Sequence, residues 1–386
     1  MKPSAGQTLH FTQLALDNWR NFTRLELALA SRVFLIGPNA SGKSNFLDLF
    51  RFLKDIVAVG GGLEEAVRRR RGMSHLRCLS ASQLRDVQVH VTIGTGDSPT
   101  LWQYELAINQ TRRKPPVVRS ERVLKNGKVV LERPDADDRK DPARLTQTAI
   151  EQVHENHEFR EIATFFSAIG YLHIVPQLVR HPDRAMLRSQ DPYGGDLLER
   201  LGRTPERTRT KRLALISSAL RMAVPQLCTI EFWRDGSGAP HLRWRCEHWK
   251  ATDVWQTEEE FSDGTLRLLG LMWAALDGKG PLLLEEPEMS LHPDVARFVP
   301  QMLARMQSRS GRQIFISTHS NEMLADDGIG VDELLIFQPA AHGTEVRPAT
   351  EFKDIRELMK GGVSLGEAAM PRTSPPNADQ LSLFPD

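Results

Sequence analysis

The chain is short of cysteine. Its three thiols, Cys78, Cys228 and Cys246, lie far apart. That excludes a CxxC metal or redox pair and a disulfide framework, and it fits a reducing compartment. Excess charge is also missing: fifty basic residues against forty-nine acidic leave a net +1. No global field drives the chain onto nucleic acid or anionic lipid, so any such contact needs a local patch. Long apolar runs are absent too. The longest, LLGLMWAAL from Leu268 to Leu276, is about half of the roughly 18 residues that span a bilayer. The first residues, MKPSAGQTLHF, lack the apolar core of a secretion signal. A soluble, cytoplasmic α/β protein without a membrane partner is the expectation. Internal repeats and sustained heptads are not found.

What is present follows an α/β grammar. LHFTQLALDNW and RLELAL alternate as half-buried strands, and SRVFLI is a fully apolar strand. NFLDLFRFLKDIVAV has helical periodicity and stops at Gly60–Gly62. From Val87 to Glu132, short alternating segments predict antiparallel strands, with Asn126-Gly127 as a hairpin turn. RPDADDRKDPAR reads as a loop, and residues 148–225 read as mainly helical. Trp-rich strands are expected over 228–256. A second α/β block then runs from Phe261 through LLLEEPE, ARFVPQMLARMQ, QIFISTH and ELLIF.

Between the strand SRVFLI and the helix lies Gly37-Pro-Asn39-Ala-Ser41-Gly42-Lys43-Ser44, a complete GxxxxGK[ST] loop followed by Asn45. Such a loop curls its backbone N–H groups around phosphate oxygens at a helix N-terminus. Lys43 is placed to reach the β/γ-phosphates and the Ser44 hydroxyl to bind Mg²⁺. PLLLEEPEMSLHP delivers two carboxylates at the end of an apolar strand, the edge where open α/β sheets bind ligands. Glu285 is expected to hold Mg²⁺ and Glu286 to activate the attacking water. Glutamate stands at 285 where aspartate is usual, which makes the metal geometry and the hydrolysis rate less secure than nucleotide binding. His319 ends the next strand, where it can sense a γ-phosphate. Ser262-Asp263-Gly264 opens a helix just before the acidic strand and reads as an ABC signature, a tripeptide that is otherwise only a turn and N-cap.

This ordered set, with Ser290-Leu-His-Pro293, Ser317-Thr-His-Ser320 and the early DNWRNF, resembles the RecF/SMC/OLD-like branch of ABC ATPases. The resemblance spans roughly residues 10–340 as scaffold. It implies a P-loop NTPase head with a mixed sheet, antiparallel strands in a first lobe and a more helical second lobe. The expected divisions are residues 1–175 for lobe I, 176–280 for lobe II, 281–360 for the Walker B and His-switch part, and 361–386 for a flexible tail. It also implies Mg²⁺-ATP as cofactor, ATP-dependent homodimerisation and ties to DNA repair or anti-phage defence. Gln177 is the expected Q-loop glutamine, with Gln147 and Gln152 as competitors, and Arg20 the arginine near the nucleotide.

The missing heptads exclude a coiled-coil arm. No hundred-odd residues with clustered acidic motifs follow His319, so a TOPRIM nuclease is not expected, and the late signature argues against a transporter subunit. A stand-alone head working with DNA or a separate nuclease or toxin is expected.

Two basic regions are candidates for DNA: Arg68–Arg71, and residues 180–221 with ten Lys/Arg against five acids. Either can equally be a solvated helical face. The Trp233, Trp244, Trp249 and Trp255 stretch, with Arg234, Arg243 and Arg245, could stack bases, though one face of a strand pair is the plainer account of those aromatics. Finally, Gln380-Leu381-Ser382-Leu383-Phe384 resembles the peptide by which bacterial repair proteins dock on the sliding clamp.

Overall fold

A computed structural model describes residues 8–81, 86–111, 114–182, 191–248 and 251–374. The N-terminal alternation becomes β1 (His10–Trp19) and β2 (Phe22–Ala28). A bulge between Phe11 and Gln13 shifts the phase, so that Phe11 and Leu14 face one core despite their odd spacing. The apolar run forms β3 (Arg32–Ile36), buried at every position. The strands β4 (Val87–Gly94), β5 (Trp102–Asn109), β6 (Val117–Lys125) and β7 (Lys128–Arg133) follow. With β1 and β2 they make an antiparallel sheet in the order β2-β1-β4-β5-β6-β7. Asn126 and Gly127 both have positive φ (48° and 75°) in the β6–β7 turn, as an Asn-Gly hairpin requires.

The second sheet carries the site. Besides β3 it contains β8 (Gly170–Leu172), then β12 (Leu282–Glu285), β13 (Ile314–Ser317), β14 (Leu334–Ala340) and β15 (Gly343–Pro348). Their order is β15-β14-β3-β13-β12-β8, parallel except for the β15 edge. Buried on both faces, these strands divide two cores. Val33, Leu35, Leu283 and Phe315 pack with the P-loop helix (Lys43–Val57). Phe34, Ile36, Leu282, Leu284 and Ile316 pack with the signature helix (Asp263–Leu276). The remaining strands β9 (Leu227–Arg234), β10 (Pro240–His248) and β11 (Ala251–Thr257) form a third, antiparallel sheet. The helix Glu206–Ala223 packs against β9. This α/β head, with mixed sheets and a helical second part, is the expected fold. Among the described residues, no helix is long and apolar enough to cross a membrane.

Two local expectations need correcting. RPDADDRKDPAR is no loop: Asp135 and Asp138 form a capping box on the helix Ala136–Lys140, and Asp138 binds the buried Arg133 at 2.8 Å. The described part of 148–225 is mainly helical as expected, with the short β8 set beside β12. The C-terminal stretch is not flexible from 361 onward. Ser364 caps a helix, Leu365–Ala369, whose Leu365, Ala368 and Ala369 are buried; apolar burial fixes it despite its small residues. The clamp-like peptide 380–384 lies outside the described residues.

The basic runs are largely consumed internally. Arg70 is buried between Asp48 and Asp55 at 2.9 Å, while Arg68 and Arg69 pair with Glu65. Arg200 and Arg212 hold Asp277, and Arg209 caps carbonyls at Leu201, Gly202 and Thr204. Trp244 is buried on Phe261, and Trp233 stacks on His241. Arg184, Arg188 and Trp249 lie outside the described residues.

Candidate active site

Carboxyl ends of β3, β13 and β12 meet at one edge of the parallel sheet, and each ends in a chemical motif. From β3 the chain enters the loop 37–44. Gly42, the residue before the helix, has φ +98°, and a Cβ there would lie 2.1 Å from Asn21 Nδ2. Only glycine fits that position. Asn21 braces the loop by donating to Ser41 O at 3.1 Å and Thr344 Oγ1 at 2.5 Å, and it accepts from Asn45 Nδ2 at 2.9 Å. Asn45 therefore braces the base of the loop through Asn21, while Asn39 at the loop tip is exposed.

Lys43 Nζ donates to Gly37 O (2.8 Å) and Pro38 O (3.0 Å), carbonyls of its own loop. Burial lowers its pKa to about 8, against the opposing pull of Glu286 and Glu285. Among the described residues, Ser41 Oγ is buried with no hydrogen-bond partner. A curled glycine loop, an orphaned hydroxyl and a cation resting on loop carbonyls fit a phosphate group.

Ser44 Oγ donates to Glu285 Oε1, and the hydroxyl of Tyr171, on β8, donates to Glu285 Oε2. Burial and the Glu285 charge raise the Tyr171 pKa. His173 Nδ1 lies 3.2 Å from Glu285 O. Ser44 and Glu285 thus bring two hard oxygens to one point, the donor type Mg²⁺ takes. Among the described residues no group of three or more His, Cys, Asp or Glu could enclose a metal. Mg²⁺ would therefore share its shell with phosphate and water, as it usually does.

Glu286 has φ 45°, a strained value for glutamate. Its N–H is anchored on Ser317 O at 3.0 Å, and the turn brings Oε1 to 3.4 Å from His319 Nε2. The hydrogen bond from His319 holds the Glu286 carboxyl below its usual range, with burial opposing. Glu288, whose carboxyl burial pushes up, accepts from Thr318 Oγ1 at 2.6 Å and from His319 N at 3.2 Å. It fixes the backbone that carries His319.

Ser262 caps the signature helix through Thr265 N (3.2 Å). Gly264 lies so close to Ser290 O that a Cβ would sit 2.6 Å away, which ties the signature to the SLHP turn. Arg180 clamps Asp263 and Phe261 O, both at 2.6 Å. Arg267, one turn on, lines a small cavity with Glu285 and Glu286; burial lowers its pKa, with Asp263, Glu286 and Glu288 opposing.

Gly37, Lys43, Ser44, Glu285, Glu286 and His319 therefore converge. Arg20 points elsewhere, donating to Asp48 at 2.8 Å and His75 O at 3.2 Å; Asn21 beside it touches the loop. Gln177 is exposed on the short helix Pro176–Arg180, beyond the strand that reaches Glu285. Gln152 donates to Thr148 O, and Gln147 accepts from Arg133 through its backbone carbonyl. Tyr171, His173, Glu288 and Arg267 were not singled out by sequence. Only the neighbourhood of β12 could have pointed to the first two.

The architecture is similar to that of the SMC head solved bound to the C-winged helix domain of ScpA, with a TM-score of 0.55 and 12% identity over 88% of this chain and 97% of that one. It is also similar to the Smc head with an extended coiled coil bound to the C-terminal domain of ScpA derived from Pyrococcus furiosus, with a TM-score of 0.51 and 11% identity over 92% and 100%. At such identities the likeness is one of fold. No curated protein matches the chain. Residues 32–325, most of the chain, match a family, and on that match the protein belongs to the family described as "AAA domain, putative AbiEii toxin, Type IV TA system", built on an ABC-type head fold.

Proposed function

We propose that the protein binds and hydrolyses ATP, dimerises on it, and thereby switches a DNA or effector partner. The observation that carries the reading is the union of three motifs in one site: Ser44 on Glu285, with Glu286 facing His319 at 3.4 Å. In this reading Lys43 and the loop N–H groups hold the phosphates, while Ser44 and Glu285 supply oxygens to Mg²⁺. Bound Mg²⁺ would draw negative charge from the phosphates. Glu286 takes a proton from the attacking water, which adds to the γ-phosphorus as the bond to the ADP oxygen breaks. His319 holds the Glu286 carboxyl in place.

Glu286→Gln keeps ATP binding, because the amide occupies the same volume, but it cannot accept the proton. Phosphate release should fall by about 10²–10⁴-fold, and ATP-bound dimer should accumulate. Wild-type turnover in this variant would sink the assignment of the catalytic carboxylate.

Glu285 in the metal position favours a second reading: a nucleotide-gated assembly module with little hydrolysis, acting on a separate nuclease or toxin. The family description supports a toxin–antitoxin or defence setting over repair. Steady-state turnover with and without DNA separates the readings. For DNA itself, the exposed basic residues among the described part of the second run are Arg203, Arg207, Lys211 and Arg221. Docking on the sliding clamp through 380–384 remains a proposal from the peptide alone, and deleting Gln380–Asp386 would test it.

A further inference from the structure

Glutamate at 285 poses a physical problem. Compared with aspartate it has one more rotatable bond, so its carboxylate needs more restraint to present an oxygen at a fixed point. Ser44 alone, attached to Oε1, would leave the carboxylate free to swing about that contact.

The second restraint comes from β8. The parallel register pairs Leu283 with Tyr171 and Leu284 with Leu172. Alternation then puts Leu283 and Glu285 on the same face of β12, with Tyr171 beside them one strand over. The phenol crosses this diagonal and donates its proton to Oε2. A carboxylate can only accept, so the direction of this bond is fixed. The ring is pinned in turn: the Arg51 guanidinium lies 4.2 Å from its centroid. Arg51 belongs to the P-loop helix and faces Asp48 at 3.9 Å. One chain of contacts thus joins the phosphate helix, the β8 tyrosine and the metal carboxylate.

We infer that Tyr171 is a positioning residue which locks the longer Glu285 side chain so that it can serve Mg²⁺ where aspartate usually does. The inference rests on the nucleotide reading above. It makes the tyrosine specific to glutamate: aspartate at 285 would draw the carboxylate back by one methylene, beyond reach of the hydroxyl.

The test is a double-mutant cycle in Mn²⁺ affinity, using the full chain with ATP in a Glu286→Gln background to stop turnover. Free Mn²⁺ is read by electron paramagnetic resonance. Tyr171→Phe should weaken Mn²⁺ binding about 10- to 100-fold, the usual cost of losing an outer-shell partner. ATP affinity measured in EDTA should not change, because the ring and its Arg51 contact remain. In a Glu285→Asp background the same Tyr171→Phe change should have little effect. Equal Mn²⁺ affinity in wild type and Tyr171→Phe would overturn the inference, as would an equal loss in both backgrounds. A Glu286→Gln chain that binds neither ATP nor Mn²⁺ would overturn the nucleotide reading and this inference together. Binding of both with no response to Tyr171→Phe would overturn this inference alone.

Discussion

Lys43 is a buried ammonium whose pKa is lowered to about 8 and which, among the described residues, donates to two carbonyls of its own loop. Arriving phosphates would add negative charge and raise that pKa again. Below about pH 7 the lysine is protonated both free and bound, so binding moves no proton there. Above about pH 8 the free protein has lost a proton that the complex keeps. Binding then takes up a proton, and by linkage ATP affinity falls as pH rises. Calorimetry in two buffers of different ionisation enthalpy should show proton uptake at pH 9 and almost none at pH 6.5. Uptake that is the same at both values would mean Lys43 does not meet the phosphates. This residue was legible in the sequence because the loop 37–44 is contiguous and its chemistry depends on local spacing. Tyr171 was not, because its partner Glu285 stands 114 positions away and only strand pairing joins them. Arg20 shows the limit of motif reasoning at single residues. Its turn between β1 and β2, with φ 56° at Arg20, sends Arg20 to Asp48 and hands the loop to Asn21.

Among the elements, the signature helix is fixed most firmly at its C-terminal end. Arg312, 3% exposed, donates to Ala274 O (2.7 Å), Asp277 O (2.5 Å) and Gly280 O (2.7 Å). A helix leaves its last carbonyls without internal partners, and here one guanidinium from the residues leading into β13 supplies several donors. Burial lowers the pKa of Arg312 to about 10, opposed by Asp277. Arg200 and Arg212 secure the Asp277 carboxylate from the other side. Arg312→Ala would strand buried carbonyls, at a cost of about 2–4 kcal/mol by the penalty for unsatisfied groups. Urea unfolding should report it; a change under about 0.5 kcal/mol, the range of ordinary surface substitutions, would show that water replaces the arginine at no loss. Alternation made β1, β2 and β4–β7 legible, an unbroken apolar run β3, and helical periodicity the helix Lys43–Val57. The three residues Gly-Tyr-Leu of β8 carry no period. The helix Leu365–Ala369 is held by burial of small side chains, which composition reads as a tail. Neither element is encoded by pattern; both exist because the sheet and the core accept them.

At the scale of the whole molecule, the proposed dimer turns on the helix Asp263–Leu276. The signature helix runs fourteen residues, so its N-terminus carries a partial positive charge suited to an anion. Ser262 is exposed at that end. Among the described residues, no hydrogen bond or ion pair joins Ser262 or Gly264 to the loop 37–44 of the same chain. Gly264 is instead turned against Ser290 O, and Arg180 braces Asp263 from behind. A second copy, facing the first across a two-fold axis, would bring its own signature to the phosphates and complete both sites at once. With a net charge of only +1, long-range attraction or repulsion between copies is weak, so association should depend on the nucleotide rather than on salt. Ser262→Arg places a bulky side chain in the contact while leaving the phosphate loop intact. It also removes the cap on Thr265 N, a local loss of about 1 kcal/mol that a helix clamped by Arg312 can tolerate. The variant should bind ATP as wild type does and remain monomeric by light scattering in a Glu286→Gln background, where the parent chain should form dimer. ATP-dependent dimer persisting in the Ser262→Arg chain would mean that this helix end does not form the trans contact.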